Sequence, residues 1–346
     1  MTNAAMRAAL QGYIGRAFPD RPDAVVHDLV SISVGWESDV YAFDLEWGPA
    51  AARRRQALVL RIYPGADACT KSGREFHGMQ RLHAAGYPVP RVLALERDAS
   101  PFGKPFVIME RVAGESLWPH LFRSAEPRQS RLLDLFCALF VRLHRLDWRP
   151  FAVAEPPGHA SYPDNPYAFV DGWLALVRAT TARFSLADAD VLLDWLAARR
   201  DRVPCRRPAP VHWDFHPANV LLAADGSATV IDWTQIELSD PRFDLAWTLV
   251  LVGAAEGWSW RERILAGYTR LAGAAPEELD WFEAAACGKR LFSVAVSLTA
   301  GPEALGMRPE AVAMMRRQFP VLRNVYQLLT RRTSLRLPGI ERLLAE

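Results

Sequence analysis

Lysine is nearly missing from this chain: Lys71, Lys104 and Lys289 are the only three among 41 basic residues. None of them ends an apolar strand, so a cation required at such a place has to be an arginine. Cysteine is equally sparse. Cys69, Cys137, Cys205 and Cys287 lie far apart and form no CxxC pair, which argues against a zinc site or a disulfide framework and predicts buried free thiols. No apolar run approaches the roughly eighteen residues of a membrane span, and the first twenty residues lack the apolar core of a signal peptide. A cytoplasmic protein is expected. An excess of one charge is also absent, with 41 basic against 39 acidic residues, which predicts no strong attraction to nucleic acid or to a membrane surface. No internal repeat or low-complexity tract is found.

What is present is an ordinary globular composition on a chain of 346 residues, 50% hydrophobic and 23% charged. That length suits two domains or two lobes. Residues 3–17 read as a helix. Residues 31–45 read as strand, turn and strand, with Gly35 in the turn. After a polar loop at 48–55, Ala57–Tyr63 is a further strand. Residues 71–85 turn helical, with Phe76, Met79, Leu82 and His83 on one face, and strands follow near 91–96 and 105–110. Five strands and one long internal helix indicate an α+β arrangement. Beyond Gly114, helices are predicted at 132–146, 167–183 and 187–201, around a Pro-rich loop at 149–166. A short β patch occupies 210–232, and helices dominate from 242 onward. The boundaries expected are 1–112 for a small β-rich lobe and 113–346 for a larger helical one.

The chemistry concentrates in Val211-His-Trp-Asp-Phe-His-Pro-Ala-Asn-Val-Leu-Leu222, followed by Val230-Ile-Asp-Trp233. A turn at Asp225-Gly226 makes the segment between Asn219 and Asp232 a hairpin. Phosphoryl transfer needs a carboxylate to orient a hydroxyl, and an amide oxygen with a second carboxylate to hold Mg2+ against phosphates. Either motif alone could be a turn whose Asp bonds its own backbone; two motifs in register point to the chemistry.

These residues resemble the HxDxxxxN and Ile-Asp-Trp/Phe pattern of the aminoglycoside phosphotransferase-like family of small-molecule kinases, which includes choline kinase. Ser239-Asp-Pro-Arg-Phe-Asp-Leu-Ala246 is similar to that family's next element. The resemblance implies a bilobal protein-kinase-like fold with a β-rich N-lobe and a helical C-lobe. It implies Asp214 as catalytic base, His212 as the histidine bracing the loop, and Asn219 and Asp232 as Mg2+ ligands. Asp240 and Asp244 resemble the family's structural carboxylates. Trp213 stands where the family usually has glycine, and either packs on the loop or shapes the pocket. His216 contacts phosphate or substrate, or packs the loop.

On the nucleotide side the strand cation is Arg61, with Glu75 as its helix partner and Lys71 as a rival through an i,i+4 pair. Gly35 and Ser38 fall where a phosphate-covering loop belongs, and backbone groups near Glu110 and Val112 where a purine would be held. The donor expected is ATP or GTP. Only a few residues separate Asp232 from the helix near Asp240. This leaves no room for the activation segment of a protein kinase, so the acceptor is expected to be a small hydroxylated molecule. Ten basic and six acidic residues in 280–346 favour a neutral or anionic acceptor over a polycationic sugar. The competing reading is a kinase-fold binding protein without turnover.

Overall fold

A computed structural model describes residues 2–32, 38–98, 101–152, 164–305 and 311–345. Gly35 and most of the Pro-rich loop at 149–166 lie outside the described residues. The chain divides into two compact units. One runs to Glu115 and adds Leu221–Gln235; the other comprises Ser116–Val220, Ile236–Leu305 and the C-terminal helices.

The first unit opens with α1 (Asn3–Ala17), capped by the Thr2 side chain, which accepts from the Ala5 N–H. Then come β1 (Val25–Ser31), β2 (Asp39–Trp47), β3 (Arg54–Ile62), α2 (Ala68–Ala84), β4 (Val92–Glu96) and β5 (Phe106–Glu110). The strands form one antiparallel sheet in the order β1-β2-β3-β5-β4. Period-two alternation sorts β3 into two faces. Leu58, Leu60 and Ile62 join Met6, Leu10, Tyr13 and Ile14 of α1, along with Phe43, Phe106 and Ile108, in one apolar core. The opposite face carries Arg61 and then Tyr63 towards Glu75 of α2.

Several boundaries differ from the sequence expectation for local reasons. The first strand starts at Val25 rather than Ser31. Its register shifts between His27 and Val30, where Asp28 has φ 52°, and this bulge breaks the alternation that would have revealed it. The expected loop at 48–55 already contains the start of β3, because Arg54 and Arg55 pair with Trp47 and Glu46. On α2 the buried face is Ser72, Glu75, Met79 and Leu82, and His83 is exposed. One residue beyond Leu82 is a turn of about 100°, enough to leave the core.

The chain continues through β6 (Glu115–Ser116), α3 (Leu117–Arg123), α4 (Arg128–Arg145), α5 (Ala168–Arg183) and α6 (Ala187–Ala197). Next are β7 (Ala209–Val211), β8 (Val220–Leu222), β9 (Ala228–Val230) and β10 (Glu237–Ser239). The last stretch is α7 (Pro241–Glu256), α8 (Trp258–Ala272), α9 (Leu279–Ala300), α10 (Ala311–Arg317), α11 (Phe319–Thr333) and α12 (Pro338–Ala345). The helix expected over 187–201 stops at Ala197, and a separate single turn covers Arg200–Arg202. The fold is α+β, an antiparallel sheet region followed by a helical region. Among the described residues no helix is long and apolar enough to cross a membrane.

Candidate active site

In the first unit, β3 holds Arg61 in the middle of the sheet, paired across to Val40 and Val107. Its guanidinium uses three separate directions. Nε donates to the Ser38 hydroxyl at 2.8 Å, Nη1 to Glu75 Oε1 at 3.0 Å, and Nη2 meets Asp232 Oδ1 at 2.8 Å. Burial opposes the charge, but Glu75 and then Asp232 outweigh it and raise the guanidinium further above its ordinary value. Glu75 is 1% exposed and also accepts from the Tyr63 hydroxyl, whose own pKa is raised by burial and by that carboxylate. Lys71, the rival partner, pairs instead with Asp67 at 3.1 Å.

Asp232 reaches Arg61 because β8 and β9 form the expected hairpin. The Asp225 side chain accepts from the Ser227 N–H and hydroxyl, and Gly226 takes φ 86°, which suits glycine. The Val230 N–H bonded to the Pro88 carbonyl and the buried Trp233 fix the end of the hairpin. Asp232 itself sits at φ 68° and takes a bond from the Thr234 hydroxyl at 3.0 Å.

Ser38 is buried with its hydroxyl on Arg61. Glu110 donates its backbone N–H to the Arg91 carbonyl at 2.8 Å. That donor is therefore spent within the sheet, and a purine would have to use other groups of this segment. Val112 follows in partly exposed, irregular chain.

In the second unit, β7 pairs antiparallel with β10, a strand the sequence reading did not anticipate, and delivers the loop 212–219. Three residues of α7 on one face, at i, i+3 and i+4, hold that loop. Asp244 Oδ2 accepts from the His212 N–H at 2.7 Å, the Trp247 Nε1–H donates to Asp214 Oδ1 at 2.8 Å, and the Thr248 hydroxyl donates to the Phe215 carbonyl. Asp240 caps α7 by accepting from the Arg242 N–H, with Pro241 in the first turn. From α4, Phe140 stacks on Phe215 at 4.1 Å between centroids, and His144 meets both Asp244 and the Tyr268 hydroxyl.

His212 is fully buried and its Nδ1 accepts from the Asp214 N–H at 3.3 Å. His216 Nδ1 accepts from the Ala218 N–H, so in the neutral ring the proton sits on Nε2, 3.4 Å from Asp214 Oδ2. Asn219 spends its amide nitrogen on the Asp214 carbonyl at 3.0 Å, which leaves the amide oxygen for another ligand. The Asp214 side chain is about a third exposed, at 36%. Burial raises its pKa, yet the neighbouring His216 and its hydrogen bond, the Trp247 bond and His212 together hold it well below the usual carboxylate range.

Trp213 departs most from backbone preference. It has φ 64° in the left-handed region, costing a bulky residue about 1–2 kcal/mol. Its Nε1–H bonds to Glu237 and its ring tilts against Phe243 at 5.2 Å, so the strain is held by neighbours on two sides. Lys289 of α9 places its ammonium 4.5 Å from the centroids of both Trp213 and Trp247.

The structure thus brings Arg61, Glu75, Ser38 and Asp232 together in one unit, and His212, Asp214 and Asn219 in the other. Sequence reasoning missed Tyr63, Trp247, Thr248, His144 and the position of Lys289. Tyr63 had a signal, two residues beyond Arg61 on the same strand face. Trp247 and Thr248 had one too, at helical spacing from Asp244.

Each in its own unit, Asp232 and Asn219 carry a hard oxygen donor of the type that Mg2+ takes. Among the described residues no group of three or more His, Cys, Asp or Glu could hold a metal alone.

Comparison with known proteins follows the same outline. Residues 28–282 match the model of the phosphotransferase enzyme family. Curated relatives include acyl-CoA dehydrogenase family member 10 of Mus musculus, 29% identical over 197 residues, covering 55% of this chain and 18% of that protein. Family member 11 of Gallus gallus is 27% identical over 199 residues, covering 56% of this chain and 25% of that protein. The aligned part is thus a quarter or less of these relatives. Among solved structures, a candidate aminoglycoside phosphotransferase of Ralstonia eutropha has TM-score 0.64 at 18% identity, covering 94% of this chain and 98% of that one. Plasmodium vivax ethanolamine kinase has TM-score 0.57 at 14% identity, covering 91% and 83%. An aminoglycoside phosphotransferase in complex with GDP and kanamycin has TM-score 0.55 at 16% identity, covering 94% and 98%. At these identities the structural likeness speaks to fold.

Proposed function

The chain belongs to the phosphotransferase enzyme family, and on that premise we propose that it is a small-molecule kinase that transfers the γ-phosphate of ATP or GTP to a hydroxyl of a small acceptor oriented by Asp214. The observation that carries this reading is the way Asp214 is held. Its backbone and both carboxylate oxygens are fixed by His212, Trp247, Asn219 and His216, while part of the side chain stays open to solvent.

The acceptor hydroxyl donates its hydrogen bond to Asp214, which aligns an oxygen lone pair on the γ-phosphorus. The new P–O bond forms as the bond to the β-phosphate oxygen breaks, and the nucleoside diphosphate leaves with that electron pair. The hydroxyl proton passes to Asp214 and then to water. Asp214 orients the hydroxyl and takes up its proton late in the transfer. Arg61, backed by Glu75, is the proposed phosphate cation. Asn219 and Asp232 are the proposed Mg2+ ligands; bound Mg2+ would neutralise phosphate charge. The Glu110–Val112 segment is the proposed contact for the purine.

The test is nucleotide consumption across hydroxylated acceptors. Asp214→Asn is expected to lower kcat by about 10²-fold or more with folding intact by circular dichroism. Turnover within about threefold of wild type would remove Asp214 from the role.

A further inference from the structure

We propose that the second unit carries a further binding site, a cavity bordered by Trp195, Arg199, Arg202, Arg261 and Trp281, which takes a small organic anion: a carboxylate or phosphate group on an apolar body.

The cavity has a volume of about 730 Å3 and is lined from the end of α6, the single turn after it, α8, the start of α9 and the end of α11. That size suits a small organic molecule rather than a single ion. All of its lining belongs to one unit, and none of it to the 212–219 loop. A ring lies between the two. Trp281 packs on Phe243 at 6.0 Å, and Phe243 packs on Trp213 at 5.2 Å. The cavity is therefore separate from the place where Asp214 would orient an acceptor.

Its polar lining is dominated by guanidinium groups. Arg199, Arg202, Arg261 and Arg332 stand against the carboxylates of Glu278 and Asp280. Behind them, the fully buried Glu283 serves two cations at once, Arg261 Nε at 2.6 Å and Arg332 Nη2 at 2.7 Å. Glu262 and Asp280 complete these pairs from the exposed surface, where an ion pair contributes little. Arg202 meets Glu278 at 2.9 Å through Nη2. Arg199 pairs with no carboxylate among the described residues; it lies over the Trp195 ring at 4.2 Å and donates Nη1 to the Trp195 carbonyl. The interior of the cluster thus holds more positive than negative charge.

Arg261 is the most telling of the four. It is 7% exposed. Glu283 and Glu262 take its Nε and Nη1, which leaves Nη2 as a donor on a residue that lines the cavity. A buried cation is costly unless its donors are met, and an anion in the cavity would meet this one. The start of α9 adds to the same field. Glu278 stands at its N-cap with φ 54° and makes no side-chain cap bond, so it does not cap the first N–H groups of this helix. Free N–H groups at the positive end of a helix favour negative charge. Guanidinium forks match carboxylate and phosphate oxygens, whereas Trp195, Leu265 and Trp281 offer an apolar wall to the rest of the ligand.

Calorimetric titration of the full chain with phenyl phosphate, benzoate, inorganic phosphate and neutral benzyl alcohol tests the site. The better of the two organic anions is expected to bind about tenfold or more tighter than benzyl alcohol and than inorganic phosphate, and its identity shows which head group is read. Arg199→Gln, at a half-buried residue outside the Glu283 pairs, should weaken that binding about tenfold. Arg261→Gln should weaken it further, with the folding of each variant checked by circular dichroism. Arg61→Ala, which removes the proposed phosphate cation of the first unit, should leave the affinity within about threefold. Benzyl alcohol or inorganic phosphate binding as tightly as the organic anions overturns the proposal. So does unchanged affinity in Arg199→Gln, or loss of binding in Arg61→Ala, which would move the anion to the first unit.

Discussion

Arg61 was legible from the sequence because it needed only local rules. An arginine ending the apolar run Leu58-Val-Leu, followed by a helix with a glutamate on its inner face, defines a strand cation and its partner without knowledge of the rest of the fold. What the sequence could not show is that Ser38 and Asp232 share the same guanidinium, since both contacts depend on distant parts of the chain returning to β3. Three directed bonds from one planar group explain why arginine suits this place. Arg61→Lys keeps a charge but can satisfy fewer of these directions, and Arg61→Ala keeps none. Calorimetric titration with a non-hydrolysable ATP analogue is expected to show affinity falling about tenfold in Arg61→Lys and further in Arg61→Ala. An Arg61→Ala variant with wild-type affinity would move the phosphate contact elsewhere.

At the scale of one element, α7 shows how a helix can organise a loop. Its residues Asp244, Trp247 and Thr248 address 212, 214 and 215 in turn. Asp240 and Asp244 stood out in the sequence because a motif contains them. Trp247 and Thr248 lie just past it and read as ordinary helix interior. The spacing from Asp244 was available, but the direction of that face was not, because it depends on the pairing of β7 with β10. Thr248→Val preserves volume and removes the donor to the buried Phe215 carbonyl. Urea unfolding is expected to show a loss of about 1–3 kcal/mol, and a change under about 0.5 kcal/mol would mean that water replaces the hydroxyl. Lys289 was missed for a related reason. Its position relative to Asp214 is set by the packing of α7 with α9, two helices whose mutual rotation no local pattern encodes.

For the molecule as a whole, the α+β class followed from the change of hydrophobic period from two to three and a half near residue 114. Individual strands were less secure. The bulge at Asp28 hid β1, and three-residue β10 was too short to carry any period. The cysteines offer a whole-chain probe of integrity. Cys137, Cys205 and Cys287 are buried and Cys69 is exposed, against the expectation of four buried thiols. Burial also pushes the Cys137 thiol up to about 12, which keeps it from ionising at neutral pH. A thiol reagent is expected to modify one cysteine rapidly in the native protein and four after denaturation. Rapid reaction of more than one would show that a helical core opens readily.

The ion pair between Arg61 and Asp232 has a consequence for the order in which ligands arrive. A carboxylate assigned to a metal already faces a resident cation, so a divalent ion arriving alone meets a site whose charge is largely balanced. On the proposed roles of these two residues, nucleotide would change that balance, its phosphates giving Arg61 another partner and releasing Asp232 for the metal. The pair would then act as a gatekeeper of sequence in time: metal and nucleotide admitted together, the bare ion finding little to hold it.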